Sequence, residues 1–139
     1  MGYVGPMSPA VSARPWWMTA MAILCLLVLA ISIPRDLFFP DSRDVEVWFG
    51  FEVRGPLALA TAPIHWAIFA FGAWVFWSGR RWIVPWAVGY VIYAAIAHLV
   101  WSEASPNGRG WPVGLLEAIA IASFALVLHR TAAKDARTA

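Results

Sequence analysis

Long apolar runs separated by short polar segments dominate the chain. Four such runs cover about residues 16–33, 57–77, 82–101 and 111–128. A helix of roughly 20 residues, at 1.5 Å rise per residue, spans the roughly 30 Å hydrocarbon core of a bilayer. The pattern therefore predicts an all-α integral membrane protein, in which four transmembrane helices form an up-down bundle.

The first apolar run admits two interpretations. Arg14 precedes it and Ala30-Ile31-Ser32 imitates a cleavage site, as in a signal peptide. However, the run is longer than the roughly 7–15 residues typical of such signals, and Pro34 lies just beyond the supposed cut. We therefore favour a retained first transmembrane helix that ends at Pro34, although the sequence leaves cleavage open.

The polar segment 34–55 joins the first two predicted helices. Its apolar residues alternate as in a strand: Val45, Val47, Phe49, Phe51 and Val53. A helix would also group apolar residues on one face: Val45, Trp48, Phe49 and Val53. A lone strand needs a partner, whereas Asp41 and Gly55-Pro56 supply helix start and stop signals. A short helix lying in the membrane interface is the favoured prediction.

The ends of the chain are polar and short. Residues 1–14 are rich in Gly, Pro and Ser and are predicted to be a disordered lead. Residues 15–130 form one membrane domain, and residues 131–139 a basic tail. Six of the ten Lys and Arg residues lie in the lead, the turn 78–81 and the end of the chain. This bias places both termini on the cytoplasmic side of a bacterial-type inner membrane.

Composition supports a membrane protein and excludes one class. The chain is 61% hydrophobic and 13% charged, whereas a soluble domain carries about a quarter charged residues. The net charge of +2 is spread over several loops and forms no basic stripe, so nucleic acid is excluded as a partner. Most of the ten tryptophans lie near predicted helix ends, where interfacial aromatic residues concentrate.

Three ionisable side chains fall inside the predicted spans: His65, His98 and Glu117. With the predicted topology they lie about 12, 5 and 9 Å below the outer ends of their helices. Charged groups within spans usually face the bundle interior and pair with one another. We therefore predict a polar pocket in the outer half of the membrane. Helix spacing and the outer helix end add three residues to it: Thr61, Tyr90 and Glu103.

This trio has several interpretations. It can serve as hydrogen-bonding contacts between helices, or as the polar end of a pocket for a lipid-like ligand. Two histidines could also ligate haem iron, but their depths differ by about 7 Å. The sequence contains no His-x-x-x-His or Glu-x-x-His spacing. We therefore predict no metal site and assign no cofactor.

Small residues recur at every fourth position of the last predicted helix: Gly114, Ala118 and Ala122. Such a stripe allows another helix to approach closely. That helix can belong to this chain or to another membrane subunit.

The favoured function is that of a binding or accessory subunit, whose outer pocket meets an apolar ligand or a partner helix. The alternative is a small membrane enzyme, an isomerase or hydrolase using the same trio for acid–base work on a lipid-like substrate. A haem-binding redox subunit is a third possibility. The predicted partners are the bilayer itself, other membrane subunits and a lipid-like small molecule.

Overall fold

The computed structural model describes residues 14–39 and 45–138. The chain runs as α1 (Trp16–Phe38), β1 (Val45–Trp48), β2 (Phe51–Arg54), α2 (Pro56–Trp77), α3 (Ile83–Ala104) and α4 (Trp111–Thr138). All four helices are long and apolar enough to cross a membrane, which confirms the four predicted segments. Residues 1–13 of the predicted lead, and the predicted helix cap at Asp41, lie outside the described residues.

Helix α1 does not end at Pro34, so that prediction was wrong. The helix continues through the proline to Phe38, and the N–H of Phe39 still donates to the carbonyl of Arg35. A proline inside a helix removes one hydrogen bond and crowds the preceding turn. Here the extra turn carries Asp36 into a buried position with partners of its own, and these contacts offset the cost of the proline.

The segment between α1 and α2 forms a β-hairpin, so the prediction of a short helix was wrong. Strands β1 and β2 pair antiparallel in register, from Val45 opposite Arg54 to Trp48 opposite Phe51. A lone strand would lack a partner, but here the second half of the same segment supplies one. Phe49 and Gly50 connect the strands with φ of 54° and 87°, as in the two-residue turns that join hairpins.

The helices associate as two pairs. Helix α1 packs along α2 and α3 packs along α4, whereas α2 and α3 touch only sparsely. Around the turn 78–82, all four helices contribute to one core, which we call the turn end of the molecule. Its buried residues include Trp17, Met18, Phe76, Val84 and Leu128.

The hairpin lies between the two pairs at the other end of the molecule, the hairpin end. Both strands contact α2 and α3. Gly50 sits so close to α3 that a Cβ atom built on it would lie 2.4 Å from the Cβ atom of Val100. The hairpin therefore links two helix pairs that otherwise meet mainly at the turn end.

The small-residue stripe of α4 begins against a helix of the same chain. Gly114 and Ala118 are buried and Ala122 is half-buried. A Cβ on Gly114 would lie 2.5 Å from the Cβ of Ser102 in α3. The Ser102 hydroxyl also donates to the carbonyl of Gly110 over 3.1 Å. Close approach at Gly114 thus serves the pairing of α3 with α4.

Candidate functional site

A cavity of about 260 Å³ opens at the hairpin end, bounded by α1, β1, α2 and α3. Its lining combines charged and aromatic side chains. The lining residues are Ser32, Arg35, Asp36, Val45, Glu46, Val47, His65, Phe69 and Tyr90. The last turn of α1, beyond Pro34, supplies Arg35 and Asp36, and the first strand of the hairpin supplies Glu46.

Asp36 is the most buried charged group of the cavity, with 4% of its surface exposed. Its Oδ1 accepts from Arg35, whose Nε and Nη2 lie 2.7 and 2.6 Å away. Its Oδ2 accepts from the indole N–H of Trp66 over 3.0 Å. Both carboxylate oxygens therefore have donors, as a buried carboxylate requires.

Glu46 is the second buried carboxylate, with 6% exposed. Its Oε2 lies 2.7 Å from Nδ1 of His65, so the imidazole N–H donates to it. Its Oε1 lies 3.8 Å from Nη2 of Arg35. The Trp48 ring stacks on the imidazole, with centroids 4.2 Å apart and planes 6° from parallel. One carboxylate and one indole thus fix the orientation of His65.

Phe69 and Tyr90 form an aromatic wall of the cavity, which is connected to the hairpin turn. Phe69 and Tyr90 meet edge to face at 5.7 Å, and Tyr90 lies 5.9 Å from Tyr93. The Tyr93 hydroxyl accepts a hydrogen bond from the N–H of Phe49 over 3.0 Å. The wall is therefore part of the contact that holds the hairpin.

The lining of the cavity carries no net positive charge. Two carboxylates, Asp36 and Glu46, face one guanidinium, Arg35. With a neutral imidazole at His65 the lining carries one net negative charge, and with a protonated imidazole it carries none. The net negative charge of the first state favours a cationic or hydrogen-bond-donating group over an anion.

The structure divides the predicted trio between two places. His65 lines the cavity and pairs with Glu46, whereas His98 pairs with Glu117 between α3 and α4, Nε2 to Oε2, at 2.8 Å. Arg109 also donates to Glu117 over 3.1 Å. The separation follows from the helix pairs, since α2 lies beside α1 and α3 beside α4. Each histidine therefore has its own carboxylate.

The other predicted pocket residues have different surroundings. Tyr90 lines the cavity with His65. The Thr61 hydroxyl donates to carbonyls of its own helix, those of Leu57 and Ala58, at 2.9 and 3.1 Å. Glu103 is exposed near the end of α3. Of the three, only Tyr90 joins the cavity.

The pocket residues predicted from the sequence did not include Arg35, Asp36 and Glu46, which line the cavity. The first two lie beyond Pro34, where the helix was predicted to end. The signal for Glu46 was the alternating pattern, because alternate strand residues share a face. A strand puts Glu46 on the side of Trp48, and both contact His65.

Glu52 anchors the second strand to the end of α3. It accepts hydrogen bonds from the indole N–H of Trp101 at 3.1 Å, from the Ser105 hydroxyl and from the amide of Asn107 at 3.3 Å, and it pairs with Arg54. These donors, Ser105 foremost, lower the pKa of Glu52 from 4.5 to about 2. Its ionised form therefore stabilises the docked hairpin.

Lowering the pH should weaken this anchor. Because the folded-state pKa is below the unfolded value, the contribution of Glu52 is complete above pH 4.5 and is lost as the pH falls towards about 2. This contribution is the difference in the free energy of unfolding, in mixed detergent micelles, between the wild type and Glu52→Gln. The difference between the two proteins should shrink across this window. A constant difference would contradict the assignment.

Within residues 14–39 and 45–138, no group of three or more His, Cys, Asp or Glu side chains could hold a metal ion. Fold and site together define a small helical protein with four helices of membrane-spanning length and a charged cavity beside a β-hairpin. No family model, curated protein or solved structure matches the chain.

Proposed function

We propose that this protein is an integral membrane binding or accessory subunit, whose cavity at the hairpin end receives the polar head of a lipid-like amphiphile. In this proposal the four helices cross a bacterial-type inner membrane in up-down order with both termini cytoplasmic. The hairpin end then faces the outer leaflet.

The exposed surface of the helices supports membrane residence. Large apolar side chains project outward from every helix, among them Leu27, Ile64, Ile96 and Leu116. Such continuous apolar exposure suits lipid and is rare on soluble monomers.

The charge distribution supports the orientation. Arg14 packs over the Trp77 ring at 4.3 Å, and Arg81 pairs with Asp135 of α4 at 2.8 Å. Basic residues from the start, middle and end of the chain thus gather at the turn end. An excess of Lys and Arg favours the cytoplasmic side.

The observation that carries the binding function is the pair of buried carboxylates in a cavity with an aromatic wall. Ligand pockets usually measure about 300–1,000 Å³, so 260 Å³ suits a head group better than a whole lipid. The lining charge favours an ammonium or another strong donor. The ligand's apolar chain would lie along the exposed helix surface.

Three twelve-carbon amphiphiles test this proposal: dodecylamine, dodecanol and laurate. The protein in phosphatidylcholine nanodiscs should bind dodecylamine most tightly, measured by quenching of tryptophan fluorescence. Glu46→Gln should weaken this binding about tenfold, the equivalent of about 1.4 kcal/mol for one charge-assisted hydrogen bond.

The matched control is Glu103→Gln, the same chemical change on an exposed carboxylate outside the cavity lining. It should bind dodecylamine like the wild type. Equal binding of laurate and dodecylamine would contradict the proposal, as would an unaltered affinity in Glu46→Gln.

One observation favours a second candidate, acid–base catalysis. His65 is oriented by Glu46 at 2.7 Å and by the stacked Trp48 ring, an arrangement that suits a general base. An enzyme should convert a component of a membrane lipid extract, detected by mass spectrometry, and His65→Gln should abolish that conversion. A binding protein should leave the extract unchanged.

A further inference from the structure

A second groove, of about 550 Å³, lies on α4 at the turn end and is unrelated to the first cavity. It is lined by Leu126, His129, Arg130, Ala133, Lys134 and Arg137. Four of these side chains carry nitrogen donors. None of these six residues is acidic. The groove therefore combines positive charge with a small apolar surface.

The length of α4 places this groove beyond the apolar part of the helix. Residues 111–128 are apolar and span about 27 Å at 1.5 Å per residue, close to the thickness of the hydrocarbon core. The helix continues to Thr138, so residues 129–138 extend about 15 Å further. In a bilayer this segment lies at the level of the head groups.

The basic residues share one face of this extension. Arg130, Lys134 and Arg137 follow the i, i+4, i+7 spacing that aligns side chains along a helix. The opposite face belongs to the protein interior, where Leu128 is buried and Ala132 packs against the core.

The acidic residue of this segment, Asp135, also lies on the interior face and pairs with Arg81 at 2.8 Å. Two further arginines at this end are held elsewhere, Arg14 over the Trp77 ring and Arg80 over the Trp74 ring at 5.3 Å. None of these four residues lines the groove.

We infer that this groove binds the phosphate head group of an anionic phospholipid. Guanidinium groups pair with phosphate oxygens through two parallel hydrogen bonds, which Arg130 and Arg137 can supply. Leu126 and Ala133 offer an apolar surface to the adjoining part of the acyl chains. The inference rests on the membrane placement proposed above but not on the ligand of the first cavity.

Native mass spectrometry of the full chain tests the inference. The protein is released from nanodiscs containing equal amounts of phosphatidylglycerol and phosphatidylcholine with identical acyl chains. The wild type should retain phosphatidylglycerol preferentially. Each of the two groove arginines should contribute about fivefold, so Arg130→Gln with Arg137→Gln should reduce that preference about 25-fold.

The matched control is the double variant Arg54→Gln with Arg109→Gln, which removes two positive charges from the hairpin end. It should retain phosphatidylglycerol like the wild type. Added inorganic phosphate should not displace the lipid, because the groove also contacts the acyl chains. Equal retention of both lipids, or an equal loss in the control, would overturn the inference while leaving the hairpin-end binding proposal intact. Failure to enter nanodiscs would overturn both.

Discussion

Gly50→Ala is expected to lower the free energy of unfolding by about 3 kcal/mol, through backbone strain and overpacking. Gly50 has a φ of 87°, which L side chains rarely adopt. Its Cβ would lie 2.4 Å from the Cβ of Val100 and 2.7 Å from the carbonyl oxygen of Ala97. Both partners are close to or part of the α3 backbone, so the hairpin itself has to move away.

Unfolding by sodium dodecyl sulfate in mixed micelles measures this loss, and amide hydrogen exchange of residues 45–54 shows whether the hairpin is released. Gly89→Ala is the control, because Gly89 lies within α3 and a Cβ there meets nothing within 4 Å. That change should stabilise the helix by up to about 1 kcal/mol. Wild-type exchange of the hairpin in Gly50→Ala would show that the turn does not dock as described.

The four long helices follow from run length and hydropathy alone. A stretch of about 20 apolar residues has few ways to satisfy its backbone in lipid, so helix is nearly obligatory. The pairing of the helices, by contrast, does not follow from run length and hydropathy. It depends on contacts between helices such as that of Gly114 with Ser102.

The hairpin was harder to predict because its turn lacks the usual signal. Two-residue turns favour Asn-Gly or Asp-Gly, and here the first position is Phe49. The Tyr93 hydroxyl and ring hold this residue from α3. A contact 44 residues away in the chain thus supports a turn that local sequence does not favour.

The sequence identifies only part of the candidate site, because the rest of the site lies in the hairpin. His65 stands out as a polar residue in an apolar run, and this alone marks it as a candidate. Its partner Glu46 lies in the hairpin, so the pair forms only once the strand is docked on α2. The site therefore depends on the segment that sequence reasoning predicted least well.

Asp36→Ala should cost about 3 kcal/mol of unfolding free energy, towards the lower end of values for breaking a buried ion pair. The change leaves the Trp66 indole N–H without its acceptor. It also leaves Arg35 without its partner at 2.6 Å, but that side chain is 48% exposed. Water can therefore compensate for part of the lost charge interaction.

Asp36→Asn separates the two contributions, since the amide oxygen can still accept from Trp66 while the charge is gone. It should destabilise by about 1 kcal/mol, less than the alanine variant. Combined with Trp66→Phe, Asp36→Ala should show a coupling of about 1 kcal/mol in a double-mutant cycle. Unfolding in mixed micelles measures all of these variants, with Glu103→Ala as the exposed control. If Asp36→Ala were no more destabilising than Glu103→Ala, the last turn of α1 would not be anchored through this carboxylate, and the cavity would lose its most buried charged wall.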